Sequence, residues 1–323
     1  MRSPKAKKGP QVRFVTVDEA SEGQRLDNFL LRELKGVPRG RIYRMVRMGE
    51  VRINKGRCKP DSRLRQGDIV RIPPVRTATP AARPERSTRD LSWLEDYILY
   101  EDDDLVVVNK PSGMAVHGGS GIQLGLIEAM RLLRPGEREL ELVHRLDRDT
   151  SGCLLLAKRR STLRRLHADL REGRVHKRYL ALVRGVWEGK GQRVSLPLEK
   201  NRLQGGERMV SVRDEGKESV SRFMPRQNFS AGAALVAIDL VTGRTHQARV
   251  HAAHLGHPIA GDLKYGDKEF NRQMRAHGLQ RLFLHAERLE FTHPRKTCKM
   301  VIEAPLPPEL AETIDRIKHA TSL

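Results

Sequence analysis

The chain has 323 residues, enough for one large domain and a small one, and carries 61 Lys and Arg against 40 Asp and Glu, a formal charge of +21 with a pI near 10.4. A field of that sign gathers polyanions, so nucleic acid is the expected partner; anionic lipid attracts the same charge, but no long basic amphipathic helix, lipidation signal, export core or run near ~18 apolar residues is present. Cys58, Cys153 and Cys298 lie far apart without paired spacing, which argues against a disulfide framework or thiolate metal site and fits a reducing cytosol.

Residues 1–13 hold five Lys or Arg and no acid, with Pro4, Gly9 and Pro10 interrupting any regular element. They read as the core of a basic flexible arm spanning 1–20. From Arg25 to Ile72 there are fourteen Lys or Arg against five acids. Leu26, Phe29, Leu30 and Leu34 recur at helical spacing, as do Ile42, Met45 and Val46, with Gly36-Val37-Pro38 between them. Val51-Arg52-Ile53 and Ile69-Val70-Arg71-Ile72 alternate like half-buried strands. With the apolar faces inward, Arg39, Arg41, Arg44 and Arg47 line the outside of the second helix. Residues 73–92 hold Pro73, Pro74, Pro80 and Pro84 among Thr, Ala, Ser and Arg without apolar periodicity. The boundaries expected are therefore a small domain over 21–75, a linker over 76–92 and a large domain over 93–323.

In the large domain, strand-like runs occur at Leu105 to Asn109, Cys153 to Ala157, Tyr179 to Val183 and Leu235 to Leu240. Helical patterns occur at Leu124 to Leu133 and at Ser161 to Glu172, where Ser161 is suited to cap the start and Gly173 the finish. Strands outnumber helices and do not alternate with them, which predicts α+β rather than a doubly wound sheet.

One stretch stands out: His144-Arg145-Leu146-Asp147-Arg148-Asp149-Thr150-Ser151-Gly152, followed directly by the apolar run Cys153 to Ala157. That run places the stretch in a loop at the mouth of a sheet. Asp147 between two arginines is a carboxylate held charged and oriented, suited to a nucleophile or base. A kinase catalytic loop has a different order and spacing, and Gly118-Gly119-Ser120-Gly121 lacks the Gly-Lys-Ser/Thr that a phosphate loop needs. His246, His251, His254 and His257 fall within twelve residues. They raise a zinc hypothesis, which Gly256 and Pro258 disfavour by interrupting a common helical face.

The nine-residue stretch resembles the active-site motif of the RluA-type family of pseudouridine synthases. Leu105 to Gly113 and Thr242 to His251 resemble two further motifs of that family, and residues 25–72 resemble the S4 RNA-binding domain. The resemblance implies an α+β fold, a large mixed-sheet synthase domain with a small N-terminal S4-like α/β domain. It implies that Asp147 is the catalytic carboxylate, that Arg249 pairs with it, that Tyr179 packs on the target base, and that Arg145 enters the space left by an extruded uridine. It accounts for His246, His251 and His257 without a metal, and implies no cofactor. Ala248 departs from it, standing where the family has a larger aliphatic residue.

The substrate expected is large-subunit ribosomal RNA, bound by a cytoplasmic monomer, with Arg39, Arg41, Arg44 and Arg47 among the RNA contacts. Transfer RNA as substrate and a noncatalytic ribosome-assembly role are the alternatives. Nine Lys or Arg against two acids between Lys158 and Arg178 offer a further phosphate grip. Only 4% aromatic residues argue against a broad stacking platform. Whether Asp147 adds to the substrate or removes a sugar proton to give a glycal stays open.

Overall fold

The computed structural model describes residues 11–34, 36–75, 91–118, 124–202 and 208–319. Residues 1–10 of the basic arm, residues 76–90 of the expected linker, and Gly119, Ser120 and Gly121 lie outside the described residues. The chain divides into two compact units, Met1–Arg89 and Asp90–Leu323.

In the first unit the order is β1 (Arg13–Thr16), α1 (Leu26–Glu33), α2 (Arg39–Arg47), β2 (Arg52–Ile53) and β3 (Ile69–Ile72). The strands form an antiparallel sheet in the order β1-β3-β2. Residues 13–17 of the expected arm therefore belong to the folded unit. Val15 packs against the small core and Val17 is buried in it, so burial on alternate positions draws this basic segment into the sheet. The helix positions read from spacing, Leu26, Phe29, Leu30, Ile42, Met45 and Val46, all enter that core. Arg39, Arg41, Arg44 and Arg47 are exposed.

The second unit is α+β. Its sheet runs β4 (Ile98–Glu101), β5 (Leu105–Lys110), α3 (Leu126–Leu133), β6 (Glu141–Leu142), β7 (Ser151–Ala157), α4 (Arg160–Arg171), β8 (His176–Arg184) and β9 (Gln192–Ser195) along the chain. A small antiparallel pair follows, β10 (Leu198–Arg202) with β11 (Arg208–Val212). Then come β12 (Val220–Phe229), β13 (Ala233–Leu240), α5 (Gln247–His254), α6 (Lys268–Ala276), β14 (Leu284–Thr292), β15 (Lys299–Glu303) and α7 (Pro308–His319). The main sheet has the order β4-β5-β7-β14-β8-β13-β12-β9, with β6 and β15 as side partners of β7 and β14. The β7–β14 pairing is parallel and the other pairings are antiparallel, so the sheet is mixed.

Strand β7 is buried along its whole length. Leu154 and Leu156 enter one core, while Cys153, Leu155 and Ala157 enter another, so both faces of the sheet are covered. That is why it reads as a continuous apolar run rather than an alternation. Each buried leucine contributes ~1.5–3 kcal/mol. The β7–β14 junction also explains Gly152: its φ is +108°, and a Cβ there would stand 2.3 Å from the Ala286 carbonyl oxygen.

One helix starts differently from expectation. Ser161 lies inside α4, Arg159 occupies the N-cap without a side-chain bond, and the Arg160 amide donates to Glu139 Oε2 at 3.3 Å. A carboxylate from a distant loop serves the orphan amide, so a local cap is not required. Gly173 does end the helix, with φ +72°.

Candidate active site

The loop 144–152 is fixed from three sides before any substrate arrives. At its start, His144 Nε2 accepts the Leu155 amide at 3.1 Å, tying the loop back to β7. Burial, with the Lys177 charge, pulls the His144 pKa down to about 3, so the ring is neutral. Beneath the middle, Lys110 at the end of β5 is fully buried and donates to the carbonyls of Pro111, Met114 and Arg148 at 2.8, 2.8 and 2.9 Å. Burial, with the Arg281 charge, draws this ammonium down to about 7 against the opposing pull of Asp149 and Asp147. Ser112 Oγ donates to the Asp149 carbonyl, and Arg148 Nε to that of Gly113. At the far end Ser151 Oγ meets His285 Nδ1 at 2.9 Å. The neighbours of Asp147 are thus held by backbone carbonyls, leaving its carboxylate to face a pocket.

That pocket has a volume of about 650 Å³ and is lined by Arg145, Asp147, Tyr179, His246 and Arg249 among others. Asp147 comes from the loop, Tyr179 from β8, and Arg249 from α5. Arg249 Nη1 is 3.7 Å from Asp147 Oδ2, and His246 Nε2 is 3.8 Å from the same oxygen. The shorter bonds of Arg249 go elsewhere: Nε and Nη2 donate to Asp262 at 2.7 and 2.6 Å. Asp147 is therefore the looser of two carboxylates around one guanidinium. Burial weakens the Arg249 charge, and Asp262 more than offsets it. Tyr179 is buried, and burial together with the Asp147 charge raises its pKa well above that of a free phenol. Arg145 is exposed at the rim.

Three residues of this site were not singled out for these roles by the sequence. Asp262 has a fully buried side chain, and its only local signal is an acid flanked by Gly261 and Gly266 at the end of an apolar run. Tyr265 donates or accepts at His246 Nδ1 (2.8 Å), accepts the Val210 amide at 2.9 Å, and lies under the Arg249 guanidinium, 5.1 Å away. His246, named in the zinc hypothesis and as a motif member, caps α5 with left-handed φ +53° and sits between Tyr265 and Asp147. Burial lowers its pKa, against the opposing pull of Asp147.

The remaining histidines of the cluster diverge. His251 sits between Ser219 and Ser221, at 2.8 and 2.9 Å, and His257 Nδ1 meets the Arg184 carbonyl. Ser219 donates to the Leu196 carbonyl and Gln247 Nε2 donates to Ser221, so this chain of bonds is complete with His251 neutral. Among the described residues the group with metal-ligand spacing is Asp102, Asp104 and His293. Lys296 and Arg295 already occupy its carboxylates at 2.8 and 2.7 Å.

The basic flank after the motif is also more committed than its composition implied. Lys158 pairs with Glu101 and Glu137, Arg160 with Glu139, Arg174 with Asp169 and Glu172, and Arg178 with Asp239. Arg171 and Lys177 line the pocket. Ala248 is buried in the main core beside Arg249.

Residues 104–254 match the RNA pseudouridylate synthase family, and residues 24–70 match the S4 domain. The chain is 55% identical over 314 residues to a Yersinia pestis protein named ribosomal large subunit pseudouridine synthase C, covering 97% of this chain and 98% of that one. It is 54% identical over 317 residues to the Escherichia coli protein of the same name, covering 96% and 98%. Among solved structures, human RNA pseudouridylate synthase domain containing 1 superposes with a TM-score of 0.54 at 31% identity, covering 66% of this chain and 85% of that one.

Proposed function

The chain belongs to the RluA-type family of RNA pseudouridylate synthases, and we propose that it isomerises specific uridines to pseudouridine in bacterial large-subunit (23S) ribosomal RNA through Asp147. The observation that carries this reading is the meeting of Asp147, Tyr179 and Arg249 from three separate elements in one pocket.

In the reaction the bond from uracil N1 to ribose C1′ breaks, the base turns, and C5 joins C1′. The C5 proton leaves and N1 gains one, so no electrons are exchanged with a partner. Asp147 either adds to the substrate carbon or removes a sugar proton, and Arg249 at 3.7 Å holds it aimed in both routes. Tyr179 offers its ring to the base; burial and the Asp147 charge keep its phenol protonated, so its oxygen takes the C5 proton only as it hands its own proton to water.

The reacting atoms cannot be reached in a stacked base, so the uridine is extruded at a cost of a few kcal/mol, and Arg145 at the rim fills the gap. Contacts to the rest of the RNA offset that cost. Arg39, Arg41, Arg44 and Arg47 on the exposed side of α2 supply phosphate contacts. Residues 21–75 serve as the RNA-binding domain and 93–323 as the catalytic domain. No helix among the described residues is long and apolar enough to cross a membrane, and the working form is a cytoplasmic monomer.

The test is chemical mapping of pseudouridine across ribosomal RNA from cells with and without the gene. Large-subunit sites should vanish with the gene and return with the wild type but not with Asp147→Asn. Loss of sites in transfer RNA instead would overturn the substrate, and no change anywhere would favour a binding role.

A further inference from the structure

Arg249 lines two cavities. One is the catalytic pocket; the other, a cleft of about 940 Å³, is lined by its partner Asp262 as well. The turn 261–266 forms part of the second wall. Its backbone is tightly held: Asp262 Oδ1 accepts the amides of Lys264 and Tyr265 at 2.8 and 3.1 Å, and Asn271 both donates to the Asp262 carbonyl and accepts the Gly261 amide.

From this fixed turn Leu263 projects into solvent, 82% exposed, the most exposed of the large apolar side chains among the described residues. Single exposed leucines are ordinary on mobile loops. Here the same carboxylate that orients Arg249 holds the residue in place, at the edge of the cleft, so fraying does not account for it.

The cleft is also charged in the sense that suits a polyanion. Lys264, Arg275 and Arg281 line it against Asp149 and Glu309. Arg281 Nη2 donates to Ser151 Oγ at 2.6 Å and Nε stands 3.4 Å from Glu309. Its Nε and Nη1 have no hydrogen-bond acceptor among the described residues. Buried donors left without acceptors are costly, and an arriving phosphate that drew the guanidinium or Glu309 aside would relieve that cost.

We propose that this cleft holds the nucleotide next to the target uridine on the same RNA strand, with Leu263 packed against its base or ribose and Arg275 and Arg281 receiving its phosphate. The inference rests on RNA being the substrate. An apolar side chain pressed against a nucleotide is a known means of holding a distorted strand. The Arg249–Asp262 pair then serves as the partition between the extruded base and its neighbour.

The experiment uses unmodified large-subunit ribosomal RNA transcribed in vitro and the full-length protein. Leu263→Ala and Arg275→Ala, both at exposed positions, should keep the wild-type melting temperature and each lose roughly tenfold in kcat/KM, chiefly through KM. A photocrosslinking residue at position 263 should attach to the nucleotide flanking each modified uridine. If the wild type modifies the transcript while both variants stay within twofold of it, or the crosslinks fall far from the target, the cleft has another use and the proposal fails. If the wild type leaves the transcript unmodified and binds it no better than bulk RNA, the RNA reading itself fails and takes this inference with it.

Discussion

Arg249 gives its two short hydrogen bonds to Asp262, at 2.6 and 2.7 Å, and stands 3.7 Å from Asp147. The Asp147 carboxylate is thus faced by a guanidinium whose orientation is set from behind. Asp262→Ala removes that support and leaves a buried charge without its partner, which costs about 3–5 kcal/mol. Urea unfolding should show a loss of that size. Asp262→Asn, which retains the volume, should fold better and still lose turnover.

Asp147→Asn tests the carboxylate with little change of shape. Product formation should fall by at least about 10³-fold, the scale expected when an essential acid–base or nucleophilic group is removed. RNA binding measured by filter retention should stay close to wild type. Product at the wild-type rate would rule out the assignment.

Acid should destabilise the fold through its neutral histidines. Burial holds His251 and His285 at about 4 and His144 at about 3, whereas in the unfolded chain each binds a proton near ~6.5. Their contribution is complete above that unfolded value. It is lost as the pH falls toward the folded values, because only the unfolded state takes up protons in that window. The slope is on the order of 1 kcal/mol per pH unit per histidine. Urea midpoints between pH 7 and 5 should drop accordingly, and His285→Gln should shallow the slope.

Gly152→Ala meets both an unfavourable φ of +108° and the Ala286 carbonyl at 2.3 Å. A loss of several kcal/mol is expected, since strain and overlap act together. Calorimetry would detect it as a lowered melting temperature, and an unchanged one would mean that β7 and β14 separate more easily than their pairing implies.

RNA affinity should fall steeply with added salt, because each phosphate contact releases a counterion. Arg44→Ala should reduce the slope of log Kd against log salt by about 1 and weaken different RNA sequences alike. A flat salt response in the wild type would contradict the phosphate-contact argument.

Much of the site was legible because it is contiguous: one loop carries Asp147 and Arg145, and the apolar run after it fixes their place at a strand's edge. The helices of the small unit were legible from spacing. What stayed hidden depends on approach in space. Nothing near Arg249 in sequence marks Asp262 as its stronger partner, thirteen residues on and across a turn. The Ser161 cap was a sound local reading that a distant Glu139 displaced. Part of the charge of the basic flank is paired by acids that composition within the flank does not show, such as Glu101 and Asp239 on other strands.

The place of β14 bears on when the enzyme can begin to work. This strand comes late in the chain yet lies between β7 and β8, and it supplies His285 beneath Ser151. The earlier strands therefore wait with their inner edges open until residues 284–292 arrive, a long-range closure that slows folding. During synthesis the loop 144–152 lacks its His285 anchor until β14 has been made. Turnover thus begins only after residues 284–292 have emerged, and until then β7 and β8 expose edges that invite wrong pairing.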